Sequence, residues 1–163
     1  MNAKPVIAIL GGTGDLGSGL AKRWIAAGYS IVIGSRSADK ARSFAKELGG
    51  DARGDDHVGA ATSADIIVLA VPFASHEATL LEVKNAVQGK IVVDAAVPLV
   101  PPKVSVVQLP PEGSAAQIAQ NLLARASAWF RPFIMSAPAS STPAAGSTAM
   151  CLCSVTIRNR ATL

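Results

Sequence analysis

Uninterrupted apolar runs recur along the first two thirds of the chain, separated by segments of mixed polarity. Runs of this kind are typical of parallel strands whose two faces are both buried. Four runs predict strands, at residues 5–10, 30–34, 65–71 and 90–94. The less regular segment 51–62 predicts a further short strand followed by a short helix.

The segments between these runs have helical periodicity. They predict helices at 15–27, at 37–48 with Ser37 as the N-cap, at 75–86 and at 114–123. In the first of these helices, Leu16, Leu20 and Trp24 form the predicted apolar stripe. Strands that alternate with helices require crossover connections and therefore a parallel sheet. We expect an α/β fold, a doubly wound Rossmann-type parallel sheet with helices on both faces, and a C-terminal part that is truncated or irregular.

Length and composition narrow the class of protein. The chain has 163 residues, of which 50% are hydrophobic and 16% charged, with a mean hydropathy of +0.37. These values indicate one folded domain rather than a disordered segment. No apolar run reaches the roughly eighteen residues of a membrane span. The two cysteines, Cys151 and Cys153, are too few and too close together for a secreted disulfide scaffold. We expect a soluble, cytoplasmic protein with no membrane partner.

The net charge of +4 comes from one end of the chain. Residues 1–123 hold eleven Lys plus Arg and eleven Asp plus Glu, whereas residues 124–163 hold four Arg and no acidic residue. A nucleic-acid site usually clusters basic residues on one face of a folded element. Because the excess here lies in an irregular tail, we expect no nucleic-acid partner.

A glycine motif follows the first predicted strand. Gly12-x-Gly14-x-x-Gly17 lies between that strand and the first helix, which is the context of a dinucleotide-binding loop. The first glycine permits a tight turn, the second lets the backbone approach a pyrophosphate, and the third lets the helix pack closely on the sheet. The pyrophosphate then binds free N–H groups at the helix N-terminus. The alternative is an ordinary glycine-rich turn.

The end of the second strand distinguishes NADP from NAD. An NAD site places an acidic residue there to bind the ribose hydroxyls. This chain instead has Ser35 and Arg36, with Lys40 shortly afterwards, and a hydroxyl and two cations suit a 2′-phosphate. The alternative is that Arg36 and Lys40 are solvated residues at a helix start. We expect NADP(H) as the cofactor.

The chain lacks the residues that several other classes of enzyme require. Short-chain dehydrogenases need Tyr-x-x-x-Lys, but the single tyrosine, Tyr29, has Ile33 at the fourth position. His57, His76 and two tail cysteines do not form a zinc ligand set, so we expect no metal. The Gly-x-Ser-x-Gly elbow of α/β-hydrolases does not occur.

Five segments together carry a family resemblance. They are IAILGGTGDLG at 7–17, IGSRS at 33–37, VLAVPF at 68–73 followed by His76, VVDAAVPL at 92–99 and EGSAA at 112–116. In these segments the chain resembles the NADPH-dependent coenzyme F-420 reductases (F-420:NADP oxidoreductases). The resemblance implies hydride exchange between NADP(H) and the deazaflavin coenzyme F-420, with the two rings stacked. It also implies small-molecule cofactors as partners, and an intact member could form a homodimer.

Site residues follow from the same resemblance, position by position. It implies that the pyrophosphate contacts Thr13, Gly14, Asp15 and Leu16, in a loop completed by Gly12 and Gly17. It implies that the 2′-phosphate contacts Ser35, Arg36 and Lys40. The nicotinamide and deazaflavin site would be lined by Ala70, Val71, Pro72 and His76. For hydride transfer between two bound cofactors, the protein mainly has to align the two cofactors and to exclude water. We therefore assign no catalytic acid or base. Asp94 is expected to be structural or to anchor a loop.

The resemblance ends near Leu123. Family members continue with segments that resemble VVSAFHNVS and DVLVFGDD, which this chain lacks. Residues 129–137 and 150–157 can be encoded by synonymous codons that, when the reading frame begins one base earlier, encode these two segments. We therefore divide the chain into an NADP-binding Rossmann domain, 1–123, and an irregular tail, 124–163, which we interpret as out of frame after a slip between Leu123 and Ser127. The alternative is a genuine divergent tail.

Two other functions remain open at this point. The NADPH site could serve a reductase with a flavin or imine acceptor, as in the pyrroline-carboxylate reductases. It could also serve a non-catalytic NADP(H) sensor, for which the glycine loop alone suffices. In an enzyme, loss of the C-terminal region would impair hydride transfer.

Overall fold

Strands and helices alternate along the chain in the computed structural model, which describes residues 4–99, 109–124 and 133–134. The elements are β1 (Ile7–Leu10), α1 (Asp15–Ala26), β2 (Ile31–Ser35), α2 (Ala38–Leu48), β3 (Ala52–Asp56), α3 (His57–Thr62), β4 (Ile66–Leu69), α4 (Phe73–Val83), β5 (Ile91–Asp94), α5 (Ala115–Ala124) and β6 (Phe133–Ile134).

The six strands form one parallel sheet in the order β3-β2-β1-β4-β5-β6. The chain leaves β1 towards β2 and β3, then crosses back to add β4 and β5 on the other side of β1. This arrangement confirms the predicted doubly wound Rossmann-type fold. The strand order reverses between β1 and β4, and ligands of such folds bind outside the carboxyl ends of the strands at that point.

Alternate side chains of the central strands fill two cores, one on each face of the sheet. In β1, Ile7 and Ile9 pack on the face covered by α1 and α2, while Ala8 and Leu10 pack on the face covered by α3, α4 and α5. All four are buried, as the uninterrupted apolar run predicts. The glycine loop therefore extends from the most central part of the fold.

Strand β3 is an outer strand and differs from the others in composition. Its sequence is ARGDD, and none of its residues is fully buried. Its one glycine allows α2 to lie directly on it, because a Cβ at Gly54 would be 2.2 Å from the carbonyl carbon and oxygen of Ala41. Arg53, Asp55 and Asp56 give this edge of the sheet charged side chains.

Polar contacts hold α3 between its neighbours. The His57 ring lies 3.1 Å from a carboxylate oxygen of Glu82 on α4. The Lys90 ammonium donates to the carbonyl oxygens of Ala61 and Thr62 at 2.7 Å, and so satisfies the C-terminal end of the helix. None of the helices in the described part of the chain has the length and apolar character that a membrane crossing requires.

Element boundaries lie within three residues of the predictions. The largest difference is in α4, predicted at 75–86, which begins at Phe73, directly after Pro72 at the N-cap position, and ends at Val83. Leu16 is 53% exposed, so its place in the apolar stripe of α1 was wrong. The buried residues of α1 are Gly17 and Ala21, so the side of the helix that faces the sheet is centred one position around from the predicted stripe of Leu16, Leu20 and Trp24.

The predicted tail falls mostly outside the described residues. Of 124–163, the structure describes the end of α5 at Ala124 and the two residues of β6, which pair with Val93 and Asp94 of β5. The two cysteines lie outside the described residues. The proposed division of the chain at Leu123 therefore stays a prediction.

Candidate functional site

The glycine loop folds back over the carboxyl ends of β1 and β2. The Gly12 amide donates to the Ile9 and Gly34 carbonyl oxygens, at 3.1 and 3.3 Å, and the Gly11 amide donates to the Gly34 oxygen at 2.9 Å. The Gly14 amide donates to the Gly11 oxygen at 3.0 Å. These bonds turn the chain sharply and deliver it into α1.

The three glycines of the motif have different surroundings. A Cβ at Gly12 would lie 2.8 Å from the Ile9 carbonyl oxygen, and one at Gly17 would lie 2.6 Å from the Gly11 oxygen. Both positions are closed by the protein backbone itself. At Gly14 a Cβ would meet just the Gly11 oxygen, at 3.3 Å. The space beside Gly14 is therefore not filled by the described residues, as expected for the glycine that a ligand approaches.

Helix capping differs between the helices at this edge of the sheet. Ser37 accepts from the Lys40 amide to cap α2, Asp56 accepts from the Gly59 amide to cap α3, and Ser114 accepts from the Gln117 amide to cap α5. By contrast, α1 and α4 have no side-chain cap. These are the two helices that follow β1 and β4, the strands on either side of the reversal in strand order. Their N–H groups are available to an anionic ligand.

The residues predicted to contact pyrophosphate lie at this uncapped N-terminus. Thr13 is half-buried, and Gly14, Asp15 and Leu16 are exposed where α1 begins. The exposure of Leu16, which contradicts a core role, is compatible with a backbone contact to a ligand.

The predicted 2′-phosphate residues lie at the end of the neighbouring strand. Ser35 is the last residue of β2 and is buried, while Arg36 and Lys40 are exposed. Among the described residues, neither cation takes part in a salt bridge. Arg42, two residues after Lys40 in α2, instead pairs with Asp39 and Asp55 at 3.1 and 3.3 Å. Arg36 and Lys40 are therefore the cations available to bind an anionic ligand at the end of β2.

The turn after β4 supplies the other predicted contacts. The Ala70 amide donates to the Leu10 carbonyl oxygen at 2.8 Å, which holds this turn beside the glycine loop. Ala70 is half-buried, Val71 is buried and Pro72 is exposed. The turn thus lies next to the glycine loop, at the edge where the strand order reverses.

His76 occupies a different environment from the other predicted contacts. It lies in the first turn of α4, is 1% exposed, and its Nε2 is 2.6 Å from Oδ2 of Asp94. Asp94 ends β5 and is 4% exposed. The sequence identified His76 by resemblance and took Asp94 as structural, but gave no sign that the two side chains meet.

The described residues contain no group of three or more His, Cys, Asp or Glu side chains placed to hold a metal ion. A cavity of about 450 Å³ lies elsewhere, between α2 and β3, and Arg42, Lys46 and Arg53 are among its lining residues. The predicted cofactor contacts do not line that cavity.

A family model matches residues 6–98, more than half of the chain. It describes NADP oxidoreductases that depend on coenzyme F420. The match covers β1 to β5 and includes every residue predicted to contact a cofactor.

Individual relatives are similar over the same part of the chain. The F420-dependent NADP reductase of Methanothermobacter marburgensis is 45% identical over 100 residues, which cover 57% of this chain and 45% of that protein. The F420-dependent NADP reductase of Methanocaldococcus jannaschii is 39% identical over 129 residues, which cover 72% of this chain and 57% of that protein. The chain thus spans about half the length of the curated relatives it matches.

Solved structures share the fold. A protein from Arthrobacter sp. FB24, with a provisional assignment as an F420-dependent NADP reductase, superposes with a TM-score of 0.61 at 26% identity. The superposition covers 72% of this chain and 57% of that one.

Proposed function

This chain belongs to the family of coenzyme F420-dependent NADP oxidoreductases, and we propose that its described part is the NADP(H)-binding half of such an enzyme. We further propose that the whole protein exchanges a hydride between NADP(H) and the deazaflavin coenzyme F420. Its partners in this reaction are small-molecule cofactors.

The observation that carries the proposal is the uncapped N-terminus of α1 beside a glycine with open space. Helices α2, α3 and α5 each have a side-chain cap, whereas the N–H groups that begin α1 have none. The space beside Gly14 would admit a pyrophosphate to these N–H groups. The residues present therefore fit a dinucleotide.

Each group of residues has a distinct task in this proposal. The start of α1 binds the pyrophosphate, and Ser35, Arg36 and Lys40 bind the 2′-phosphate. The turn at Ala70 and Pro72 supports the nicotinamide ring and excludes water from one of its faces. When bound, NADPH supplies a hydride that reduces the deazaflavin, which also takes up a proton from solvent as NADPH becomes NADP⁺.

Cofactor preference tests the binding half of the proposal. We expect the full chain to bind NADPH more tightly than NADH, measured by the fluorescence of the bound nicotinamide. Arg36→Ala should weaken NADPH binding by about tenfold and change NADH binding little, because one charge-assisted contact to the 2′-phosphate is lost. Arg23→Ala removes an exposed arginine from the far end of α1 and serves as the matched control. Equal affinity for the two cofactors, unaffected by Arg36→Ala, would contradict the proposal.

Hydride transfer tests the second half. NADPH and coenzyme F420 are mixed with the chain, and the absorbance of the oxidised deazaflavin is followed over time. Turnover with coenzyme F420, and none with a flavin or a cyclic imine, supports the assignment. NADPH binding without turnover with any of these acceptors would favour a sensor. For an intact member we propose a homodimer, which sedimentation measurements can test.

A further inference from the structure

The buried pair of His76 and Asp94 joins two elements at the carboxyl edge of the sheet. His76 Nε2–H donates to Asp94 Oδ2 at 2.6 Å, and the second carboxylate oxygen, Oδ1, accepts from the Ala96 amide at 2.9 Å. The carboxylate therefore binds the first turn of α4 and the segment that follows β5 at the same time. Both side chains are nearly inaccessible to solvent.

The histidine ring has few other polar contacts. Its Nδ1 is buried and has no hydrogen-bond partner among the described residues. The ring stacks on Phe73, with 6.1 Å between the ring centroids. Asp94 is thus the one polar group that orients the ring within the described part of the chain, and the orientation is lost if the pair is broken.

The pair continues a series of backbone contacts that crosses the site. The Ala70 amide donates to the Leu10 carbonyl oxygen, and the Ala95 amide donates to the Leu69 carbonyl oxygen, so β1, β4 and β5 are linked directly after their ends. The turn 70–72 leads from β4 into α4, and the pair fixes the far end of this turn. Its near end is fixed by the glycine loop.

We propose that His76 and Asp94 are positioning residues, which hold the turn 70–72 in the conformation that receives the nicotinamide ring. This inference rests on the proposed function, because it assumes that NADP(H) binds at this edge. The pair acts through the turn and does not contact the reacting atoms. If the pair is broken, the turn occupies the receptive conformation for a smaller fraction of the time, and the affinity for the nicotinamide half falls in proportion to that fraction.

The affinities for two ligands can distinguish a loss of positioning from a general loss of stability. Adenosine 2′,5′-bisphosphate contains the adenosine half of the cofactor, whereas NADPH also contains the nicotinamide ring. The double variant His76→Leu/Asp94→Asn removes the pair without leaving a buried unpaired carboxylate, and the Asn oxygen can still accept from the Ala96 amide. His76→Gln keeps an N–H donor for Asp94 and serves as the conservative variant.

The variant His57→Leu is the matched control. His57 is also buried and also pairs with a carboxylate, that of Glu82 on α4, but it lies at the start of α3. Its loss should lower the thermal stability without changing either ligand affinity. A general effect of weakening contacts to α4 would appear in this variant too.

The experiment titrates the full chain with each ligand and records the fluorescence of bound NADPH. We expect the double variant to bind adenosine 2′,5′-bisphosphate as the wild type does, to bind NADPH about tenfold more weakly and to lose the fluorescence enhancement of the nicotinamide. The single variant His76→Gln should keep the wild-type NADPH affinity and the fluorescence enhancement of the nicotinamide. Unchanged NADPH affinity and fluorescence in the double variant, or an equal loss of both ligands, would overturn the positioning role. Failure of the wild type to bind adenosine 2′,5′-bisphosphate would instead overturn the proposed function, and the positioning role with it.

Discussion

Gly11 meets the carbonyl oxygen of Ala70 with no room for a side chain between them. A Cβ at Gly11 would lie 2.6 Å from that oxygen and 2.9 Å from a methyl group of Val71. Gly11 also has φ of +80°, which side chains rarely adopt. The loop that follows β1 and the turn that follows β4 are therefore in direct backbone contact. A side chain at position 11 would force the loop and the turn apart.

Replacement of Gly11 by alanine should separate these two segments. We expect Gly11→Ala to lower the free energy of unfolding by more than about 1 kcal/mol, through the positive φ and the clash together. Binding of NADPH should weaken as well, because the loop and the turn are displaced. Urea denaturation and NADPH titration measure the two effects.

Gly89→Ala is the control for this variant. Gly89 has φ of +72°, but no described atom lies within 4 Å of its Cβ position. It therefore carries the backbone penalty without the clash. If both variants lose the same stability and both still bind NADPH normally, the contact between Gly11 and Ala70 does not organise the site.

Gly14 and Gly19 lie five residues apart, and their replacement by alanine should have different effects on stability and on NADPH binding. Gly14→Ala should lower the stability only modestly, because its Cβ meets one atom, in a tight contact at 3.3 Å, and alanine is a poorer N-cap than glycine, but it should weaken NADPH binding by about tenfold or more through a clash with the pyrophosphate. Gly19→Ala should stabilise α1 by about 0.5–1 kcal/mol, since the position is helical and open, and should leave NADPH binding unchanged. Thermal unfolding and NADPH titration of both variants provide the comparison. Normal NADPH binding by Gly14→Ala would argue against a pyrophosphate at this position.

Lys90 should stabilise the fold without affecting the site. Lys90→Met removes the ammonium that bonds the last carbonyl oxygens of α3, and we expect a loss of about 1 kcal/mol in the free energy of unfolding. Lys22→Met removes an exposed lysine from α1 and should change the stability little. NADPH affinity should remain the same in both. A selective loss of NADPH affinity in Lys90→Met would show that α3 takes part in the site.

The coding DNA decides the origin of residues 124–163. We predict that restoring one base between codons 123 and 127 opens a frame that encodes VVSAFHNVS and, further on, DVLVFGDD. The chain expressed from the restored frame should then transfer hydride to coenzyme F420 faster than the present chain. Codons incompatible with both segments would establish the tail as this protein's own.

Much of the fold could be predicted because its signals are local. The apolar run at 5–10 and the glycine spacing that follows it need no knowledge of distant residues, and both predictions agree with the structure. The N-cap role of Ser37 was equally local and is confirmed. The cofactor contacts assigned to these positions remain a prediction, since the fold places them without testing them.

The parts that the sequence could not give depend on distant contacts. His76 and Asp94 are 18 positions apart, and their meeting depends on how far α4 extends over the end of β5. The exposure of Leu16 also depends on distant contacts: helical periodicity places it in an apolar stripe with Leu20 and Trp24, but the side of α1 that is buried is centred on Gly17 and Ala21. Periodicity identifies an apolar face of a helix, but the side that is buried depends on the elements packed against it.

The charged composition of β3 determines how this protein can associate with copies of itself. An outer strand presents unpaired backbone groups to which another strand can add, and charged side chains make that addition unfavourable. With Arg53, Asp55 and Asp56 in β3, two sheets approaching at this edge would have to remove several charged side chains from water. Growth of the sheet by strand addition is therefore disfavoured at the β3 edge.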